Sequence, residues 1–98
     1  MGWADREVEG LAGGQTVSFR PRGNSMSPRV ESGALVTCEP VLLEQLEVDD
    51  IVLCRVRGRV YLHLVTAVGS DGRVQIGNNK GRINGWTRTV YGRAVAVD

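Results

Sequence analysis

IVLCRVRGRVYLHLVTAV, residues 51–68, is the stretch that decides the fold class. From Ile51 to Arg57 the chain alternates, with Val52, Cys54 and Val56 on one side and Arg55 and Arg57 on the other. That period of two is the mark of a half-buried strand. Gly58 supplies a tight hairpin turn, and Arg59 to Val68 returns as a second, longer strand that carries His63. On the return strand His63 shares a face with Tyr61 and Val65, opposite Val60, Leu62 and Leu64. Its face is therefore expected to be the cleft side rather than the sheet interior.

The same reading extends outward in both directions. Thr16 to Arg20 alternates as a strand, and Ala34 to Glu39 is another, closed by Pro40. Val41 to Leu46 is an apolar connection with room for one helical turn. Downstream, Ser70-Asp71-Gly72 makes a hairpin turn into Arg73–Ile76, and residues 77–85 (GNNKGRING) read as a polar, glycine-rich loop. Thr87 to Val97 is the closing strand, with a bulge or bend at Gly92. Six or seven short strands with almost no helix predict an all-β domain, a small coiled or barrel-like antiparallel sheet. Residues 1–14 form an N-terminal arm or a short helix over Asp5–Leu11, and the β domain occupies residues 15–98.

With 98 residues the chain has room for one small core. No apolar run approaches the roughly 18–20 residues that span a bilayer, so a soluble, cytoplasmic protein without membrane contact is expected. Cys38 and Cys54 each sit in an apolar run and read as reduced core thiols. A single histidine gives no cluster with ligand spacing, so neither metal nor cofactor is expected. Charge is uneven: residues 1–50 hold four arginines against nine carboxylates, a net of −5, and residues 51–98 hold eight cations against two, a net of +6. Such a chain folds its halves together or meets a partner head to tail. Nucleic-acid binding through Arg55, Arg57, Arg59, Arg82 and Arg88 ranks last, because no aromatics interleave with these arginines.

The chemistry-bearing stretch is Arg20-Pro21-Arg22-Gly23-Asn24-Ser25-Met26-Ser27-Pro28. Gly23 frees the backbone and Pro28 stiffens it, so the Ser25 hydroxyl sits on a bend at the end of a strand, aimed outward, with Met26 as its inward anchor. These residues resemble the peptidase core shared by LexA-type repressors and type I signal peptidases. The likeness runs through Gly23-Asn24-Ser25-Met26-Ser27-Pro28, Gly33, Val48–Leu53, Val60–Val65, Gly77-Asn78-Asn79 and Val90–Val95, in order, over residues 16–97.

The resemblance implies a serine nucleophile at Ser25 and a general base at position 63. There a histidine replaces the lysine of some members, as in the endoplasmic-reticulum type. A hydroxyl needs such a base with a pKa near 7 to react at neutral pH. It also implies an oxyanion hole from backbone N–H groups near Ser25 and Met26, within the turn formed by Gly23, Asn24, Met26 and Pro28. Histidine-type members carry an aspartate in a Gly-Asp-Asn context; here the loop reads Gly77-Asn78-Asn79, and Asn78, Asn79 and Asn84 are the candidates for accepting the imidazole N–H. The implied partner is a protein or peptide segment bound in extended form. The implied homodimer pairs the closing strand, Tyr91, Arg93, Val95 and Val97. The alternative is a lapsed peptidase fold kept for dimerisation or protein binding. Ala12-Gly13 has the composition of a LexA-type self-cleavage site but lies only a dozen residues before Ser25, so it reads as a flexible arm.

Overall fold

The 51–68 stretch forms the centre of the sheet. A computed structural model describes residues 2–98, so Met1 of the 1–14 arm lies outside the described residues. Ile51–Val56 (β3) and Arg59–Val68 (β4) pair antiparallel with Val56 opposite Arg59, leaving a two-residue turn. Both turn residues, Arg57 and Gly58, have positive φ (50° and 82°), the backbone that matches the right-handed twist of the flanking strands. On β3, Leu53 is as fully buried as Val52 and Cys54, so this strand is covered on both faces rather than on one.

Five further strands join this hairpin: Val17–Phe19 (β1), Val36–Pro40 (β2), Val74–Gly77 (β5), Ile83–Thr87 (β6) and Val90–Val97 (β7). Their order is β1-β2-β7-β3-β4-β5-β6, with every pairing antiparallel. The all-β expectation corresponds to this seven-stranded sheet, but the coiled or barrel-like form does not. β1 and β6 lie at opposite ends and do not pair, so the sheet is open. The physical reason is that other segments cover its faces. One face packs Leu53, Leu62 and Leu64 against Ala4, Leu11, Met26 and Val30. The other packs Val52, Cys54, Val65 and Ile76 against Leu46, with Val41 and Leu43 alongside. A sheet covered on both sides buries its apolar side chains, at about 1.5–3 kcal/mol for each large one, without closing on itself.

Asp5–Ala12 is a helix (α1), and Leu43–Gln45 is one 3₁₀ turn within the connection after β2. α1 lies close over β7: a Cβ on Gly92 would meet the Leu11 side chain at 2.8 Å and the Glu39 carbonyl at 2.7 Å. β7 runs between β2 and β3; its pairing with β3 ends at Arg93, and its far end pairs with β2 alone. The polar 77–85 loop is shorter than its composition suggests, because Ile83 onward pairs with β5 as β6. Cys38 and Cys54 are free and buried, one on each face, and burial pushes both thiols up to about 12. Thiols held protonated in this way are poor nucleophiles. No helix among the described residues is long and apolar enough to cross a membrane.

Candidate active site

The segment after β1 turns sharply at Gly23, whose φ of +114° is strained for any residue with a side chain. The turn is fastened by Gly23 N–H donating to Ser32 Oγ at 3.1 Å and Gly33 N–H donating to the Pro21 carbonyl at 2.8 Å. Met26 and Val30, both buried in the α1-side core, pull the following residues inward. Ser25, just before Met26, stays half-buried at the cleft. The 78–82 loop grips this turn from the other side. Asn79 donates its backbone N–H to the Ser25 carbonyl at 2.9 Å and its side-chain amide to the Ser27 carbonyl at 2.7 Å, and its Oδ1 accepts from Arg29 Nε at 2.9 Å. Among the described residues, the backbone N–H groups of Ser25 and Met26 have no hydrogen-bond partner.

His63 Nε2 lies 3.2 Å from Ser25 Oγ. On its other side Nδ1 lies 2.6 Å from Asn84 Oδ1. An amide oxygen only accepts, so Nδ1 carries the proton and Nε2 presents its lone pair to the serine hydroxyl. Tyr61, two residues back on the same face of β4, stacks on the imidazole with ring centroids 4.9 Å apart and planes 25° from parallel. The face carrying His63 does line the cleft, as expected, yet the ring is only 8% exposed, and its cross-strand neighbour on β3 is the fully buried Val52. Burial favours the neutral ring and lowers the His63 pKa below its ordinary value, and the Asn84 bond opposes this in part.

Asn84 reaches the imidazole through an irregularity of β6. Ile83 pairs with Gly77 and Gly85 with Ile76, so Asn84 is the extra residue of a bulge. A bulge re-aims a side chain out of the regular alternation. Of the three asparagines singled out above, only Asn84 touches His63. Asn78 Oδ1 accepts from the N–H groups of Lys80 and Arg82 and shapes the loop, and Asn79 holds the serine turn.

A cleft of about 600 Å³ contains Ser25 and His63, walled by residues 21–26 and by the first half of β4. Beyond Leu64, β4 pairs with β5; from Arg59 to His63 its outer edge has no strand beside it. In an antiparallel ladder alternate residues turn both backbone groups to the same side. Leu64 faces β5, so Leu62 and Val60 face the cleft. The Val60 carbonyl is already taken: Trp3 donates its indole N–H to it at 3.1 Å, with its ring tilted against Phe19 at 6.1 Å. The spacing of residues gave no sign of Trp3 or of the Asn79 clamp as parts of this site, whereas Tyr61 was signalled by the strand face it shares with His63.

No protein-family model and no curated protein sequence matches this chain.

Proposed function

We propose that this domain is a serine peptidase in which Ser25 attacks the carbonyl carbon of an extended peptide segment and His63 is the general base. The observation that supports it most directly is the 3.2 Å contact between Ser25 Oγ and an imidazole nitrogen, inside a cleft, with the opposite nitrogen anchored to Asn84. As Oγ bonds to the carbonyl carbon, its proton passes to His63 Nε2. The donors we assign to the resulting oxyanion are the N–H groups of Ser25 and Met26, which have no internal acceptor among the described residues. The tetrahedral species then collapses, His63 returns that proton to the departing amine, and an ester to Ser25 remains. Water, deprotonated by the same imidazole, hydrolyses the ester and restores both side chains. The neutral, buried imidazole suits the first step, because it accepts a proton without having to lose one first. The β4 edge, free of a neighbouring strand and open at Leu62, with the Val60 carbonyl held by the Trp3 indole, suits a peptide that pairs as an added strand and displaces that indole.

Asn84 favours a second reading, a lapsed peptidase that binds without turnover, because an amide holds the ring but does not stabilise an imidazolium as a carboxylate does. The two readings part on a serine-directed acylating probe. Labelling of the wild type and not of Ser25→Ala is expected for the enzyme; no labelling of either protein leaves the binding module. His63→Ala is expected to keep its fold and lose about 10²–10⁴ in labelling rate.

A further inference from the structure

The cleft around Ser25 and His63 is lined by three arginines, Arg22, Arg55 and Arg59, and by two carboxylates, Asp5 and Glu31. Internal bonds occupy part of this set. Arg55 donates to the Tyr91 hydroxyl at 2.8 Å and to the Gly58 carbonyl at 3.1 Å. Asp5 accepts the Gly2 N–H at 2.8 Å, and Glu31 accepts the Ser27 hydroxyl at 3.2 Å. Arg22 and Arg59 are exposed and, among the described residues, make neither a side-chain hydrogen bond nor an ion pair. The carboxylates of the cleft therefore have internal donors, and two of its cations have free ends.

Position along β4 gives those free ends a meaning. Arg59, Tyr61 and His63 are two apart and share one face of the strand, and all three line the cleft. Arg59 thus stands four residues, roughly 13 Å, from the imidazole. A peptide laid along this edge has the same rise per residue and the same alternation, so a side chain four positions from the reacting carbonyl falls beside Arg59. Arg22 lies on the opposing wall, three residues before Ser25.

We infer that the segment this cleft accepts carries an aspartate or glutamate four positions from the bond presented to Ser25, held by Arg59 with Arg22 as a second positive charge. This rests on the reading of Ser25 and His63 given above. A guanidinium matches a carboxylate with two parallel N–H donors, which fixes the register of the bound strand as well as its charge. Polar strand pairing alone leaves that register undetermined.

The test uses the full chain carrying Ser25→Ala, so that binding is read without turnover. Fluorescently labelled ten-residue peptides of alanine, serine and valine carry Glu, Gln or Lys at one position, four residues to either side of a central Ala-Ala bond. In low salt, one of the two Glu peptides is expected to bind about fivefold tighter than its Gln counterpart, and the Lys peptide weaker still. Arg59→Gln, or salt near 0.5 M, is expected to erase the difference, while Arg82→Gln, outside the cleft, leaves it. Equal binding of Glu and Gln peptides, a preference that survives Arg59→Gln, or no binding by any peptide would overturn the inference. So would a single-stranded oligonucleotide that displaces the Glu peptide at lower concentration. The acylating probe decides the serine chemistry separately: labelling without Glu preference removes this inference alone, and Glu preference without labelling removes the chemistry alone.

Discussion

At the scale of single residues, the site turns on the identity of one hydrogen-bond acceptor. Asn84 Oδ1 fixes the imidazole with its bare nitrogen toward Ser25, but contributes no charge when the ring takes up a proton. Asn84→Asp is therefore expected to raise the His63 pKa and to speed acylation by about tenfold or more at pH 7; an unchanged rate would mean that the ring needs no counter-charge. Burial has the opposite effect in the native chain. The folded His63 gives up its proton below the ordinary 6.5, so below that pH the unfolded chain binds protons more readily. Stability contributed by the neutral ring is full above about pH 6.5 and is lost as pH falls from there through the folded value. As the chain has one histidine, its ring resonance reports this titration directly, and the acid limb of labelling should fall at the same pH, below 6.5. A resonance titrating above 6.5 would contradict it. The Ser25–His63 pairing was legible because the chain has one histidine and because Ser25 follows Gly23 and precedes Pro28 in a pattern that resembles a known family, which also drew attention to the three asparagines. Which asparagine meets the ring was not legible, since that depends on a bulge.

At the scale of elements, the strands that read clearly are those whose apolar positions alternate. β3 and β4 have the expected ends within a residue, as does the turn between them, because Arg57-Gly58 leaves one compact solution. β6 was hidden: Ile83-Asn84-Gly85-Trp86-Thr87 holds two poor strand formers, and Gly85 sits at φ +138°. Pairing with β5 imposes the strand, which is a tertiary effect that no local pattern carries. The barrel expectation failed for a related reason, since short strands say nothing about whether helices and loops will cover the faces instead. Two elements hold the cleft in shape and make separate expectations. Asn79→Ala removes the side-chain bonds to Ser27 and Arg29 that steady the serine turn, so it should lower kcat with little change in KM. Trp3→Phe keeps the ring against Phe19 but frees the Val60 carbonyl, so extended peptides should bind more tightly and small acylating probes react as before. Weaker peptide binding by Trp3→Phe would instead make the indole part of the binding surface.

At the scale of the whole molecule, the helix and the sheet share one core, and this bears on whether the chain cuts itself. Ala4 and Leu11 lie within the same cluster as Leu53 and Leu62, and Leu11 rests directly on Gly92. Leu11→Ala should cost about 2–5 kcal/mol, the range for emptying a packed site, and Gly92→Ala about 1–3 kcal/mol from overpacking against a backbone carbonyl. The Leu11→Ala loss, read from the midpoint of denaturant unfolding, would be near zero if residues 1–14 were a loose arm. The same packing immobilises Ala12-Gly13. The Gly13 N–H donates to the Glu9 and Gly10 carbonyls, the Gly14 N–H to Leu11, and the Gln15 N–H to Gly10, so the dipeptide is locked in the closing turn of α1. To reach Ser25 as an extended strand it must break those bonds and withdraw Leu11 from the core, a cost comparable to much of the stability of a small domain. Wild-type protein incubated alone at pH 7–8 is therefore expected to keep its mass while still reacting with an acylating probe. Conversion to a fragment beginning at Gly13, absent in Ser25→Ala and independent of protein concentration, would show that α1 unfolds readily and that the cleft serves its own chain.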